Sequence, residues 1–100
     1  MNNTIYTIED IRVILHPVFA RYSVKKAVLF GSYVKGLATQ QSDVDLLLDS
    51  GLRGFKFIGL IEDVRTALDK DVDVLDETHI LPDSKIFDEI SKDGVVIYEE

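Results

Sequence analysis

The chain has 100 residues, 46% of them apolar, and no cysteine, so we expect one domain with a buried core and can exclude disulfides and thiolate metal sites. Its formal net charge of −7 repels nucleic-acid backbones, which argues against direct binding of DNA or RNA. An acidic surface suits metal cations or a basic protein partner, although it can also serve only to keep a small protein soluble.

Helical and strand periods alternate along the sequence, which predicts one α/β domain over residues 1–100. Thr7 can cap a first helix, whose apolar residues recur at helical spacing as far as Tyr22. Pro17 lies inside this segment and should kink the helix or split it near His16.

The rest of the chain predicts further strands and helices, with Pro82 just before the last helix and Gly94 ending it in the usual C-terminal role. The strands are expected to form one sheet covered by the helices. In chain order, the predicted elements are a strand over 24–30, a short helix over 33–37, a strand over 43–49, a helix over 55–68, a strand over 71–75, a helix over 84–91 and a strand over 95–98.

Gly31 and Ser32 follow the first predicted strand and open the short helix after it. A helix N-terminus offers unpaired backbone N–H groups and a partial positive charge, which together favour phosphate. Gly31 lets a phosphate approach the backbone closely because it has no Cβ, and Ser32 adds a hydroxyl donor. Taken alone, however, a Gly-Ser pair after a strand is most often an ordinary turn.

Asp43 and Asp45 are two residues apart on the second predicted strand, so their side chains leave the same face of the sheet. At about 4 Å and an effective dielectric constant near 20, two such carboxylates repel each other by on the order of 4 kcal/mol. A hard cation such as Mg²⁺, which prefers oxygen ligands, removes this conflict. The alternative is an edge strand that exposes two solvated acids.

Asp73 lies on the third predicted strand and can join the same cluster if that strand pairs beside the second. Asp71 points the same way and competes for this position, but Asp73 is favoured because it lies between two apolar residues inside the strand. Three carboxylates facing a phosphate-binding helix start would form a two-metal site for phosphoryl transfer.

These motifs resemble the signature of the DNA polymerase β-like nucleotidyltransferases, in which a Gly-Ser pair precedes an Asp-x-Asp motif. The resemblance covers most of the chain and implies a small mixed sheet of about four strands flanked by helices, the palm of that family. The short single-domain form is similar to the minimal nucleotidyltransferases (MNT) encoded beside HEPN-domain toxins. The residues that carry the resemblance are Leu29-Phe30-Gly31-Ser32, Gly36, Ser42-Asp43-Val44-Asp45-Leu46-Leu47 and Val72-Asp73-Val74-Leu75.

The resemblance also implies a role for each motif residue. Gly31 and Ser32 would hold the β- and γ-phosphates of ATP, the nucleotide substrate, and Asp43 and Asp45 would ligate two Mg²⁺ ions. Asp73 would ligate the catalytic ion and help to deprotonate the attacking hydroxyl.

Two residues near the Gly-Ser pair are further candidates for nucleotide binding. Many relatives have an arginine just before the second glycine, where this chain has Lys35. A lysine offers a phosphate one positive charge, but it cannot donate the two parallel hydrogen bonds of an arginine. Tyr33 could stack near the base. Their ordinary interpretations are a solvated helix residue for Lys35 and a packed helix residue for Tyr33.

The implied reaction is transfer of AMP from ATP to a hydroxyl, expected to be a tyrosine, of a partner HEPN toxin. The chain would then be an antitoxin in a cytoplasmic hetero-oligomer. Residues 1–4 do not resemble a signal peptide, and no apolar run reaches the roughly 20 residues of a membrane helix, so no membrane partner is expected. Two alternatives stay open: a non-catalytic antitoxin that acts by binding, and a nucleotidyltransferase that modifies a small molecule.

Other polar residues are not expected in the site. His16 and His79 have no partner at ligand spacing, and Asp49 lies roughly 13 Å along the strand from Asp45, too far to share a metal ion.

Phe55 and Ile58 lie off the core stripe of their helix, so they either mark a partner surface or complete the core of a small domain.

Overall fold

The computed structural model describes residues 4–81 and 83–100, and over these ranges it agrees closely with the elements that the sequence predicts. The predictions made for Pro82 and for residues 1–3 lie outside the described residues. Observed and predicted ends differ by two residues or fewer. In chain order, the elements are α1 (Ile8–Arg21), β1 (Lys26–Phe30), α2 (Ser32–Lys35), β2 (Val44–Asp49), α3 (Gly54–Leu68), β3 (Val72–Asp76), a 3-10 turn (Glu77–His79), α4 (Lys85–Asp93) and β4 (Val95–Glu99).

The four strands form one mixed sheet in the order β3-β2-β1-β4. β1 runs antiparallel to both β2 and β4, whereas β2 and β3 are parallel and are connected through α3. A parallel pair needs a crossover connection, and α3 provides it. The predicted mixed sheet of four strands flanked by helices is therefore confirmed.

The two faces of the sheet have different roles. Val44, Leu46 and Leu48 of β2 are fully buried in the main core, together with the apolar stripes of α1 and α3. The alternate residues of β2 face the other way, where Leu47 packs in a second, smaller cluster with Phe30 and with Ile90 of α4. This second face, which α4 covers only in part, is the one that carries Asp45.

The first helix begins as predicted but does not break at its proline. Thr7 accepts a hydrogen bond from the backbone N–H of Asp10, whose carboxylate accepts one from Thr7 in return, so the two residues form a capping box. α1 then runs without interruption through Pro17, so the expected split is wrong. Pro17 cannot donate to the carbonyl of Val13, but both residues are exposed and water can hydrate that group.

Gly94 ends α4 for a different reason from the one expected. Its φ is −64°, so it does not adopt the left-handed conformation that usually selects glycine after a helix. A Cβ at Gly94 would lie 2.5 Å from the carbonyl oxygen of Ile90 and 2.7 Å from a methyl group of Val28. The position therefore requires glycine because the chain passes so close to α4 and β1.

Two apolar residues of α3 stay outside the core. Phe55 is 92% exposed and Ile58 is 56% exposed, so the interpretation that they complete the core is wrong. They lie on the first two turns of α3, whose buried residues begin only at Leu60. Among residues 4–81 and 83–100, no helix combines the length and the apolar character that crossing a bilayer requires.

Candidate active site

Asp45 and Asp73 are direct neighbours in the parallel pair of β2 and β3. Residues paired in this way project from the same face of a sheet, and here that face also carries Leu47 and Leu75, the next pair along the strands. The expectation that β3 lies beside β2 with Asp73 next to the Asp-x-Asp motif is confirmed. Asp71 lies just outside β3, where its carbonyl accepts a hydrogen bond of 3.1 Å from the N–H of Val44.

The carboxylates in this region destabilise one another. Partial burial of Asp45, followed by the charges of Asp73, Asp43 and Glu89, raises the pKa of Asp45 from 3.8 to about 6. Both causes disfavour the ionised form, because a buried charge loses hydration and like charges repel. A cation placed among these groups would reverse both effects.

Gly31 packs directly against Asp45. Its φ of 77° and ψ of −149° lie in a region that is essentially restricted to glycine. A Cβ at this position would lie 2.2 Å from Oδ2 of Asp45, well inside van der Waals contact. The loop before α2 and the acidic strand are thus in contact through a residue that must be glycine for two independent reasons.

Ser32 begins α2, a single helical turn that starts beside Asp45. The N–H groups of Val34 and Lys35 both donate to the carbonyl of Gly31, and Gly31 has no side chain with which to cap the turn. The first backbone N–H groups of a helix have no acceptor within it. The Ser32 end of α2 can therefore donate hydrogen bonds to an anion that lies near the carboxylates.

The loop between α2 and β2 is held by a residue that the sequence did not suggest. Lys70 is only 3% exposed, and its ammonium group donates a 3.2 Å hydrogen bond to the carbonyl of Gln40. Within the loop, the N–H of Thr39 donates to the hydroxyl of Ser42 at 2.8 Å. These bonds fix the path of the chain from Ser32 to Asp45.

The structure separates the two further candidates for nucleotide binding. Tyr33 is 6% exposed and packs in the main core, so its ring is not available to stack on a base and we remove it from the candidate site. Lys35 is exposed, and its Nζ lies 2.7 Å from Oε1 of Glu89 on α4. The hydrogen bond and charge of Glu89 raise the pKa of Lys35. Lys35 thus lies close to the acidic cluster but is paired with one of its members.

Glu89 was not identified from the sequence. It contributes to the raised pKa of Asp45 and forms the ion pair with Lys35, so it belongs to the electrostatic surroundings of the site. No sequence pattern indicates this position, because it depends on how α4 crosses the sheet more than 40 residues after Asp45.

The donor set suits a hard cation, but the ligand arrangement is incomplete. Carboxylate oxygens are the ligands that Mg²⁺ prefers, and Asp45 and Asp73 offer them from adjacent positions on two strands. Over the described ranges, 4–81 and 83–100, no three His, Cys, Asp or Glu side chains converge as a metal site would require. Asp43 is exposed and immediately precedes β2, so it lies just outside the strand that carries Asp45.

Comparison with known proteins assigns the family. The family model described as Polymerase beta, Nucleotidyltransferase matches residues 14–100. The chain belongs to this family. It is therefore a nucleotidyltransferase, and members of the family generally use a nucleoside triphosphate and a divalent metal ion.

Two relatives of this nucleotidyltransferase, both from Methanocaldococcus jannaschii, carry the name protein adenylyltransferase. One is 32% identical over 78 residues, covering 75% of this chain and 83% of the relative. The other is 31% identical over 64 residues, covering 60% of this chain and 64% of the relative. The resemblance inferred from the motifs is confirmed.

Solved structures with the same fold include MNT antitoxins bound to toxins. A toxin-antitoxin structure with AMP-PNP superposes with a TM-score of 0.73 at 21% identity, covering 89% of this nucleotidyltransferase and 73% of that chain. A complex of a tri-AMPylated HEPN toxin of Shewanella oneidensis with MNT antitoxin gives a TM-score of 0.68 at 18% identity, covering 94% of this chain and 74% of that one. At these identities the likeness establishes the fold.

The histidines and Asp49, which were not expected in the site, lie in packing or strand-end positions away from it. His16 packs edge-on against the ring of Tyr98, and His79 packs edge-on against Phe57. Asp49 lies at the far end of β2 from Asp45, opposite Lys26 of β1.

Proposed function

We propose that this nucleotidyltransferase transfers AMP from ATP, with Mg²⁺, to a tyrosine hydroxyl of a HEPN-domain toxin and thereby acts as its antitoxin. The observation that carries the proposal is the pairing of Asp45 with Asp73 next to Gly31. A site for triphosphate and metal needs these three features within a few ångströms of one another. The names of the relatives and the toxin complexes among the structural neighbours support the choice of a protein acceptor.

In the proposed reaction, the acceptor oxygen forms a bond to the α-phosphorus of ATP while the bond from that phosphorus to the bridging oxygen of the β-phosphate breaks. Pyrophosphate leaves, and the proton of the acceptor hydroxyl passes to the carboxylate of Asp73. The Ser32 end of α2 would bind the β- and γ-phosphates, and Asp43, Asp45 and Asp73 would hold Mg²⁺. Bound Mg²⁺ would neutralise negative charge on the phosphates and on the leaving group.

The net charge of the chain also supports a protein acceptor. The net charge of −7 disfavours direct contact with a nucleic acid and suits a basic toxin. We place the resulting hetero-oligomer in the cytoplasm.

The proposal is tested with a HEPN-domain toxin, Mg²⁺ and ATP labelled at the α-phosphate. The wild type should label the toxin on tyrosine and protect cells that express it. The double variant Asp43→Asn/Asp45→Asn should lose both activities, whereas Glu62→Gln, at an exposed carboxylate of α3 on the other face of the sheet, should retain them. Protection by the double variant would instead favour an antitoxin that works by binding. Labelling of small hydroxyl compounds without any protein acceptor would favour the small-molecule alternative.

A further inference from the structure

Two adjoining cavities lie on the same face of the sheet as Asp45, between α4 and the 3-10 turn. One has a volume of about 290 Å³ and the other about 380 Å³. Both are lined by Leu47 and Glu77, with Ile90 in the first and Phe87 in the second as the α4 wall. We call these two neighbouring cavities, with their four named lining residues, the α4 groove.

The α4 groove starts next to the acidic cluster. Leu47, its floor, is two residues after Asp45 on the same face of β2, which corresponds to about 7 Å along a strand. Asp49 lines its far end, about 13 Å from Asp45. An extended peptide advances about 3.3–3.6 Å per residue. A peptide with its acceptor hydroxyl at the carboxylates would therefore place the residues two to four positions away in this groove.

The lining has both apolar and charged character. Lys26 and Asp49 lie opposite each other on β1 and β2 and offset each other's charge, which leaves Glu77 as the acid without a neighbouring cation among the described lining residues. Leu47 and Ile90 form an apolar floor and wall, and Phe87 keeps 42% of its surface exposed at the rim. Glu77 is exposed and faces both cavities, and no ion pair among residues 4–81 and 83–100 includes it. Such a surface fits an apolar side chain that is followed or preceded by a basic one.

We propose that the α4 groove binds the segment of the protein acceptor next to the modified hydroxyl, with an apolar residue two to four positions from that hydroxyl and a lysine or arginine beside it. This inference rests on the proposed function, because it takes the acceptor to be a polypeptide. The groove then selects the partner sequence, while the carboxylates carry the reaction. An acidic acceptor segment would be repelled by Glu77 and by the net negative charge of the chain.

The test uses synthetic peptides with a single tyrosine, a leucine three residues after it, and either lysine or glutamate at the next position. Peptide binding is measured by fluorescence anisotropy without nucleotide, and AMP transfer is measured with ATP and Mg²⁺. The wild type should prefer the lysine peptide about fivefold to tenfold, and Glu77→Lys should reverse that preference. Glu62→Lys makes the same charge change on α3, which packs on the opposite face, and should leave the preference unchanged.

A second pair of variants tests the apolar wall without changing charge. Phe87→Ser should weaken binding of the lysine peptide several-fold, whereas Phe55→Ser, at an exposed phenylalanine of α3, should not. The inference is overturned if Glu77→Lys and Glu62→Lys behave alike while AMP is still transferred, and in that case the proposed function stands. If peptide preference reverses with Glu77→Lys but no variant or wild type transfers AMP to any peptide or to the toxin, the proposed function fails, and the acceptor role of the groove fails with it.

Discussion

Gly31 and Asp45 are in contact, with the Cα of the glycine placed so that a Cβ would lie 2.2 Å from the carboxylate oxygen Oδ2. The two residues are 14 positions apart and belong to the two motifs that the sequence singles out. Their contact means that the proposed phosphate loop and the proposed metal strand hold each other in place. A change in either one will therefore disturb both halves of the site.

Replacing Gly31 with alanine should both destabilise the fold and abolish nucleotide binding. The backbone conformation alone costs about 1–3 kcal/mol for a residue with a Cβ, and the new methyl group must also displace Asp45. Gly36→Ala is the comparison variant, because Gly36 also has a positive φ of 73°, in the left-handed region, but a Cβ there would meet nothing within 4 Å. Urea denaturation and the thermal shift produced by ATP with Mg²⁺ measure the two effects. An equal loss in both variants would mean that the contact with Asp45 is unimportant.

Neutralising Asp45 should stabilise the protein when metal is absent. Burial and then the neighbouring charges raise the pKa of Asp45 to about 6, so its ionised form weakens the folded state. After allowance for solvent screening of a partly exposed carboxylate, Asp45→Asn should gain about 1 kcal/mol, or about 4–8 °C in Tm. Asp49→Asn, opposite Lys26, should show no such gain.

The gain from Asp45→Asn should also depend on pH in a defined direction. Because the pKa of Asp45 is raised in the folded state, its ionised carboxylate destabilises the folded wild type fully above pH 6. This destabilisation decreases as the pH falls toward the ordinary aspartate pKa of 3.8. Thermal unfolding in EDTA at pH 8 and at pH 4 measures the difference. A wild type that equals or exceeds the variant in Tm at pH 8 would contradict the crowding of charges at this site.

Replacing Asp73 with asparagine should slow AMP transfer far more than the same replacement of Asp71. Asp73 is paired in register with Asp45, whereas Asp71 lies outside β3 and contributes its carbonyl to the sheet. Asp73→Asn should lower the rate of AMP transfer at saturating ATP by at least about 100-fold, and Asp71→Asn should change it by less than about threefold. Single-turnover labelling of the toxin gives both rates. A larger loss in Asp71→Asn would assign the third carboxylate to that residue instead.

The strands and the longer helices were predictable because each one is long enough to show its period. Val44, Leu46 and Leu48 alternate with Asp45 and Leu47, and this alternation alone identifies the buried face of β2. The same alternation placed Asp73 on the face of Asp45 once β3 was assigned beside β2. Strand periodicity therefore predicts that Asp45 and Asp73, the two paired carboxylates of the candidate site, share one face of the sheet.

The remaining features depend on packing that no local pattern records. Tyr33 lies on a four-residue helix, which is too short to reveal which of its sides is buried, and the structure places it in the core. Glu89 forms its ion pair with Lys35 only because α4 crosses the face of the sheet that carries Asp45. Phe55 precedes Leu60, the first buried residue of α3, and its apolar character alone left both a core role and a surface role open.

Asp76 holds the ends of β2 and β3 together, and its removal should weaken the sheet behind the site. It is 4% exposed and accepts hydrogen bonds from the hydroxyls of Ser50 and Thr78, each at 2.8 Å, and from their backbone N–H groups. Burial would raise the pKa of Asp76, but these bonds together outweigh burial and lower it. The stabilisation is therefore present above the ordinary aspartate pKa and is lost as the pH falls below it. Asp76→Asn should cost about 2–3 kcal/mol at pH 7, while Asp71→Asn should cost almost nothing. Urea denaturation at pH 7 and at pH 3 should show the cost of Asp76→Asn shrinking in acid, and a cost that stays constant would mean that the charge of Asp76 contributes nothing.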